Sequence, residues 1–219
     1  MHVDLRLYAI IDPEHAGGHA LPDLARRVAE GGATLVQLRD KRGETREMVA
    51  QARAIKAALA PHGVPLIVND RVDVALAAAA DGVHLGQEDM EVADARRLLG
   101  GRAIIGWSVK TLPEAQRAPL QVLTYVAIGA VFPTTSKDNP TQIGAEGLRR
   151  IAGDIRARAP EFPVGAIAGI NEANAADVVA AGADGICVIS ALLSAPDPAA
   201  AAKKLRHIVD IALAKRGAR

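Results

Sequence analysis

One junction recurs along this chain and sets most of what it can fold into. A helical, alanine-rich stretch ends in Gly or Asp-Gly, and a short apolar strand follows that closes on polar residues. Glu30-Gly31-Gly32-Ala33-Thr34 leads into Leu35-Val36-Gln37-Leu38-Arg39, Ala80-Asp81-Gly82 into Val83-His84-Leu85-Gly86, and Ala181-Gly182-Ala183-Asp184-Gly185 into Ile186-Cys187-Val188-Ile189-Ser190. Glycine at such a point ends the helix in a left-handed cap and turns the chain into the strand. Units of this kind, repeated without long polar linkers, specify a parallel sheet wrapped by helices.

Counting strands gives the architecture. Strands are expected to start at Leu5, Thr34, Pro65, Gly82, Ala103, Tyr125, Val164 and Gly185, several as near-continuous apolar runs suited to a sheet buried on both faces. Between them lie helical patterns: Leu21-Leu24-Ala25-Val28 with Pro22 in the first turn, Met48-Ala52-Ile55-Leu59, and Leu148-Ile151-Ile155. Eight such units in 219 residues allow roughly 27 residues each, the spacing of a compact (β/α)₈ TIM barrel occupying residues 1–219 as one domain. An open doubly wound sheet also alternates strand and helix. It is disfavoured because no Gly-x-Gly-x-x-Gly follows the first strand and no Walker A motif occurs.

Composition removes several function classes. Twenty-six basic residues against 25 acidic ones leave a net charge of +1, without the single-sign excess of a nucleic-acid binder. Aromatic residues at 2% supply no stacking platform for single-stranded nucleic acid. The single cysteine, Cys187, excludes an internal disulfide and a cysteine-based zinc site, and it reads as a buried strand residue. No apolar run approaches the roughly 18 residues of a membrane span. The N-terminus lacks the apolar core of a secretory signal, so a cytoplasmic protein is expected. The C-terminal Lys203, Lys204, Arg206, Lys215 and Arg216 read as a solvated helix face. An exposed barrel face carrying an alanine-rich helix could support a homodimer.

In a barrel, chemistry collects at the C-terminal ends of the strands. Here those ends carry Gln37 to Lys41, Asn69-Asp70-Arg71, Gly86-Gln87-Glu88-Asp89, Trp107-Ser108, Thr134 to Lys137, Ala168-Gly169-Ile170-Asn171 and Ile189-Ser190. Asp70 and Asp89 are carboxylates on adjacent strand ends with no histidine to pair with them, the donor set that holds a hard cation such as Mg²⁺ together with water and substrate oxygens. Arg39, Lys41 and Lys137 at the same mouth point to a di- or polyphosphate. Gly169 and the Ser190 turn match the phosphate pocket that barrels build from their seventh and eighth loops. The plainer alternatives are an Asp70–Arg71 rim ion pair, Asp89 as a helix cap, and Thr134 to Ser136 as turn chemistry. His84, inside the fourth strand, reads as a satisfied core or supporting histidine. No nucleophile–base pair is evident, so displacement without a covalent enzyme intermediate is expected.

Taken in order, Gln-Leu-Arg-Asp-Lys, Asn-Asp-Arg, Asp-Gly-Val-His-Leu-Gly-Gln-Glu-Asp, Phe-Pro-Thr-Thr-Ser-Lys and Val-Ile-Ser-Ala closely resemble the thiamine-phosphate synthase family, from Leu7 to about Leu205. The resemblance implies a Mg²⁺-dependent transferase that joins hydroxymethylpyrimidine diphosphate to a (carboxy)methylthiazole-ethyl phosphate, releasing pyrophosphate. It implies that Gln37, Leu38, Arg39, Asp40 and Lys41 contact the pyrimidine diphosphate, with Arg39 and Lys41 on its pyrophosphate. It further implies Asn69 and Lys137 on the pyrophosphate, Asp70 and Asp89 on Mg²⁺, and Ser108 on the leaving group. Thr134, Thr135 and Ser136 would face the thiazole, and Gly169, Ile189 and Ser190 would cradle its phosphate.

Two positions depart from the family pattern. Thr-x-Thr-Lys reads Thr134-Thr135-Ser136-Lys137, and Gly-Gly-Ile reads Ala168-Gly169-Ile170, where Ala168 has the narrower conformational range. Three rival functions stand against the synthase. A thiazole tautomerase of the same superfamily needs a proton-shuttling histidine near the end of strand six, and residues 127–132 contain none. A non-catalytic thiamine-phosphate-binding module has no need of both metal carboxylates. A sugar-phosphate isomerase barrel requires a placed acid–base pair.

Overall fold

The computed structural model describes residues 3–134 and 142–217. The strands are β1 (Leu7–Ile11), β2 (Leu35–Leu38), β3 (Leu66–Asn69), β4 (Gly82–Leu85), β5 (Ile104–Val109), β6 (Tyr125–Ile128), β7 (Val164–Ile167) and β8 (Gly185–Val188). All neighbours pair in parallel, and β1 pairs with β8 through Leu7↔Ile186, Tyr8↔Cys187 and Ala9↔Val188, closing the barrel. Closure leaves no sheet edge unpaired. Each strand start expected from the sequence lies no more than two residues before the observed one.

The helices are α1 (Leu21–Glu30), α2 (Thr45–Leu59), α3 (Val72–Ala77), α4 (Val92–Leu99), α5 (Leu112–Arg117), α6 (Gly144–Arg158), α7 (Ala175–Ala180), α8 (Ser190–Leu193) and α9 (Pro198–Gly217). The apolar stripes expected on the longer ones are the buried ones: Leu21, Leu24, Ala25 and Val28 on α1, Met48, Ala52, Ile55 and Leu59 on α2, and Leu148, Ile151 and Ile155 on α6. Each fully buried Leu or Ile on these faces contributes about 1.5–3 kcal/mol, far more than helix propensity does. No helix among the described residues is long and apolar enough to cross a membrane.

Two local expectations are revised. The left-handed residue lies at Gly32 and Gly182 in two of the junctions, but in the middle one it is Ala79, and Gly82 already belongs to β4. The basic face of α9 is not simply solvated. Arg206 donates to the Gly32 carbonyl at 2.9 Å and pairs with Asp210, while Arg216 donates to the Ala183 carbonyl and to Asp184, both at 2.6 Å. These arginines tie the last helix to the carbonyls that the α1–β2 and α7–β8 turns leave open.

Candidate active site

The C-terminal ends of β2 to β7 surround a cleft of about 590 Å³ lined by Arg39, Lys41, Asn69, Asp70, His84, Gln87, Asp89, Ser108, Lys110 and Ala168, among others. Parallel strands deliver these side chains because every strand ends at the same rim. Arg39 is buried, and its guanidinium pairs with Asp12, a carboxylate only 1% exposed at the end of β1. Its Nε is buried with no hydrogen-bond partner. Lys41 is exposed and pairs with Asp70. Arg71 turns away from Asp70 towards Asp73 and Thr45, at 2.6 and 2.8 Å, so the alternative of an Asp70–Arg71 rim pair is not what forms.

Asp70 and Asp89 meet at this mouth. Asp70 has a left-handed backbone (φ 61°), a conformation that Asp tolerates better than most residues, and its N–H donates to the His84 carbonyl at 2.9 Å. One oxygen of Asp89 accepts the Gly86 N–H at 2.6 Å, closing the β4–α4 turn; the helix cap position itself is Glu91. Burial pushes the Asp70 carboxyl above its ordinary value; Lys41 opposes this, and the facing Asp89 carboxylate adds to the rise. A folded-state pKa above the unfolded one favours the fold at low pH, and that contribution is lost as pH rises through the folded value. Asp70→Asn should therefore raise the melting temperature of the metal-free protein at neutral pH, and the gain should shrink below the ordinary carboxylate pKa. Thermal melts at two pH values in a chelator check this; a variant that melts lower at neutral pH would contradict it.

A second, more open cavity of about 470 Å³ lies beside the first, lined by Pro133, Thr134, Gly169, Ile170, Asn171, Ser190 and Ala191. Between the two, Ala168 lines the main cleft and also a narrow recess with Gly169, Ile189 and Ser190. Gly169 has φ 65°, and a side chain there would run into the Pro133 carbonyl, so only glycine lets the sixth and seventh loops approach this closely. Ala168 has φ 85° despite its Cβ. Left-handed backbone costs a non-glycine residue about 1 kcal/mol or more. Ala168→Gly should raise the unfolding free energy by about 0.5–1 kcal/mol, read as a higher urea midpoint at unchanged slope. A lower midpoint would mean the position is not strained.

Of the residues singled out from the sequence, Arg39, Lys41, Asn69, Asp70, Asp89 and Ser108 converge on the main cleft, and Thr134, Gly169 and Ser190 on the second. Ile189 lines the recess between them. Leu38 is buried in β2, and Asp40 closes its own loop by accepting the Arg42 and Gly43 N–H groups at 3.0 and 2.8 Å. Gln37 is buried and donates to the Tyr8 hydroxyl inside the barrel. Thr135, Ser136 and Lys137 lie outside the described residues. The sequence reading missed Asp12 and Lys110, and it saw no nucleophile–base pair. Yet Ser108 Oγ lies 2.9 Å from His84 Nε2. The register explains this: β4 and β5 pair His84 with Gly106, which places Ser108 two residues further towards the mouth, on the same face of β5 as Gly106.

The family profile described as thiamine monophosphate synthase matches residues 7–192. The chain belongs to the thiamine monophosphate synthase family. The thiamine-phosphate synthase of Agrobacterium fabrum is 49% identical over 215 residues, 98% of each chain. That of Albidiferax ferrireducens is 48% identical over 207 residues, covering 94% of this chain and 92% of the relative. The solved structure of thiamine phosphate pyrophosphorylase from Pyrococcus furiosus superposes with a TM-score of 0.83 at 40% identity, covering 96% of this chain and 98% of that one.

Proposed function

We propose that the chain is a transferase of thiamine biosynthesis that condenses 4-amino-2-methyl-5-hydroxymethylpyrimidine diphosphate with a thiazole-ethyl phosphate to give thiamine monophosphate and pyrophosphate, with carbon dioxide as a third product where the thiazole is carboxylated. The observation that carries this reading is the pairing at one cleft of two facing carboxylates, Asp70 and Asp89, with a buried arginine whose Nε has no partner. The arrangement suits a diphosphate: cationic side chains and hard oxygen donors lie together at one mouth. Family membership supports the same assignment.

Among the described residues no group of three or more His, Cys, Asp or Glu side chains is placed to hold a metal. Two carboxylates nevertheless fit Mg²⁺, which keeps several waters and takes substrate phosphate oxygens in place of a full protein cage. Asp70 and Asp89 would hold it, and bound there it supplies charge neutralisation to the pyrophosphate. Arg39 and Lys41 add positive charge on the same oxygens, and Asn69 offers its amide N–H. Asp12 keeps the Arg39 guanidinium fixed, so its donors need little reorganisation when the leaving group takes up charge. The electron-rich pyrimidine can carry a methylene cation as pyrophosphate departs, and the thiazole nitrogen then captures it. The protein's task is to hold the thiazole phosphate at Thr134, Gly169 and Ser190 so that this nitrogen faces the methylene.

Omission assays test the reading. Thiamine monophosphate should form only when both substrates are present. Conversion of a thiazole phosphate isomer on its own, with no condensation product, would overturn it in favour of the tautomerase. The end of β6 argues against that alternative, since Ala127, Gly129 and Ala130 are what it brings to the cleft.

A further inference from the structure

Below Ser108 a single line of polar side chains runs from the cleft into the centre of the barrel. Ser108 Oγ on β5 lies 2.9 Å from His84 Nε2 on β4, and His84 Nδ1 lies 2.9 Å from the Tyr125 hydroxyl on β6. Tyr125 donates to the Tyr8 hydroxyl on β1 at 2.9 Å, and Gln37 on β2 donates to the same oxygen. The two tyrosines are fully buried and meet edge to face at 5.8 Å. The His84 ring also stacks on Tyr125, with centroids 5.7 Å apart and planes 27° apart. Gly106 makes this stack fit, because a side chain there would occupy the place of the Tyr125 ring. The main chain at Ser108 is pinned as well: Gln87 donates to its carbonyl at 2.6 Å.

An imidazole bonded through both nitrogens and stacked on one face cannot turn about its own axis, so it presents Nε2 at one fixed place. A buried polar line of this kind adds less to stability than an apolar core of the same volume, and it leads out to the cleft. We infer that His84, held by Tyr125 and Tyr8, is a positioning residue that fixes the Ser108 hydroxyl against the substrate during group transfer. The inference rests on the proposed function, and on Ser108, which lines the cleft, meeting the leaving group there as the family resemblance implies.

A double-mutant cycle between positions 84 and 108 tests it, with kcat and the KM of each substrate measured on the full-length chain with Mg²⁺. Asparagine at 84 reaches the Nδ1 place and keeps Tyr125 but loses Ser108; glutamine reaches the Nε2 place and keeps Ser108. His84→Asn should lower kcat by about 10–100-fold with the KM of the thiazole phosphate unchanged. His84→Gln should stay within about fivefold of the unaltered chain, and His84→Asn should cost nothing further in a Ser108→Ala background. If His84→Asn does not fold, Tyr125→Phe removes a single hydroxyl and enters the same cycle. Equal losses in both backgrounds, or unchanged kcat in the variants, would overturn the inference alone. Absence of product from the unaltered chain would overturn the proposed function, and the inference with it.

Discussion

Replacing Asp70 with alanine lowers turnover by about 10²–10³-fold, the loss expected when one element of an electrostatic clamp on a departing phosphate is removed. In the proposed assignment Asp70 and Asp89 hold one ion, so Asp89→Ala should give a similar loss and the double variant should add little to either. The KM of the thiazole phosphate changes by less than about twofold, because Thr134, Gly169 and Ser190 lie around the neighbouring cavity. Asp70→Asn separates lost chemistry from lost fold: it should be as inactive as the alanine variant while melting higher than the parent without metal. Steady-state kinetics on the three single variants, paired with melts, make the comparison. Unchanged turnover in Asp70→Ala would remove the metal assignment.

The second large effect falls on stability. Asp12 is 1% exposed and faces the buried Arg39 guanidinium, with His15 Nδ1 3.8 Å from the same carboxylate. Asp12 also caps the short turn that follows β1 by accepting the Glu14 N–H at 2.9 Å. Removing one partner of a buried ion pair leaves an uncompensated charge, and Asp12→Ala should cost about 3–5 kcal/mol. Replacing both partners with apolar residues of similar volume should recover much of that loss, since the pair by itself adds little against an apolar alternative. Urea unfolding of the two single variants and the double variant gives the coupling. An Asp12→Ala protein of parental stability would show that Arg39 finds solvent or another partner.

What the sequence made legible, and what it hid, follows from how far apart the interacting residues are. The strands could be read because a parallel sheet covered on both faces needs short unbroken apolar runs, and the turns before them are marked by Gly and Asp. The rim could be read because strand ends in a barrel all face one way, so Asn69-Asp70 and Ser108 could be assigned to one mouth without contacts being known. Pairings across strands could not. Asp12 and Arg39 are 27 residues apart, and nothing local says that the aspartate after β1 belongs to the arginine after β2. Asp70 and Arg71 are adjacent in sequence, but the left-handed backbone at Asp70 sends the two side chains to different partners. The Ser108–His84 contact depends on inter-strand register, which no single strand reveals. One clue was present. Tyr8, Gln37, His84 and Tyr125 are polar side chains within apolar strands, and buried polar groups are bonded to something.

The family pattern and the structure meet again at Ala168. Alanine stands where the family resemblance implies glycine, and the loop's path there is left-handed, a conformation that costs alanine more than glycine. That strain lies on the wall between the two cavities.

The most direct measurement is the simultaneous formation of thiamine monophosphate and pyrophosphate from the pyrimidine diphosphate and the thiazole phosphate, with Mg²⁺ and with a chelator in its place. Equal amounts of both products are expected with Mg²⁺, and loss of both in the chelator. Pyrophosphate released without thiamine monophosphate, or product formation indifferent to the metal, would contradict it.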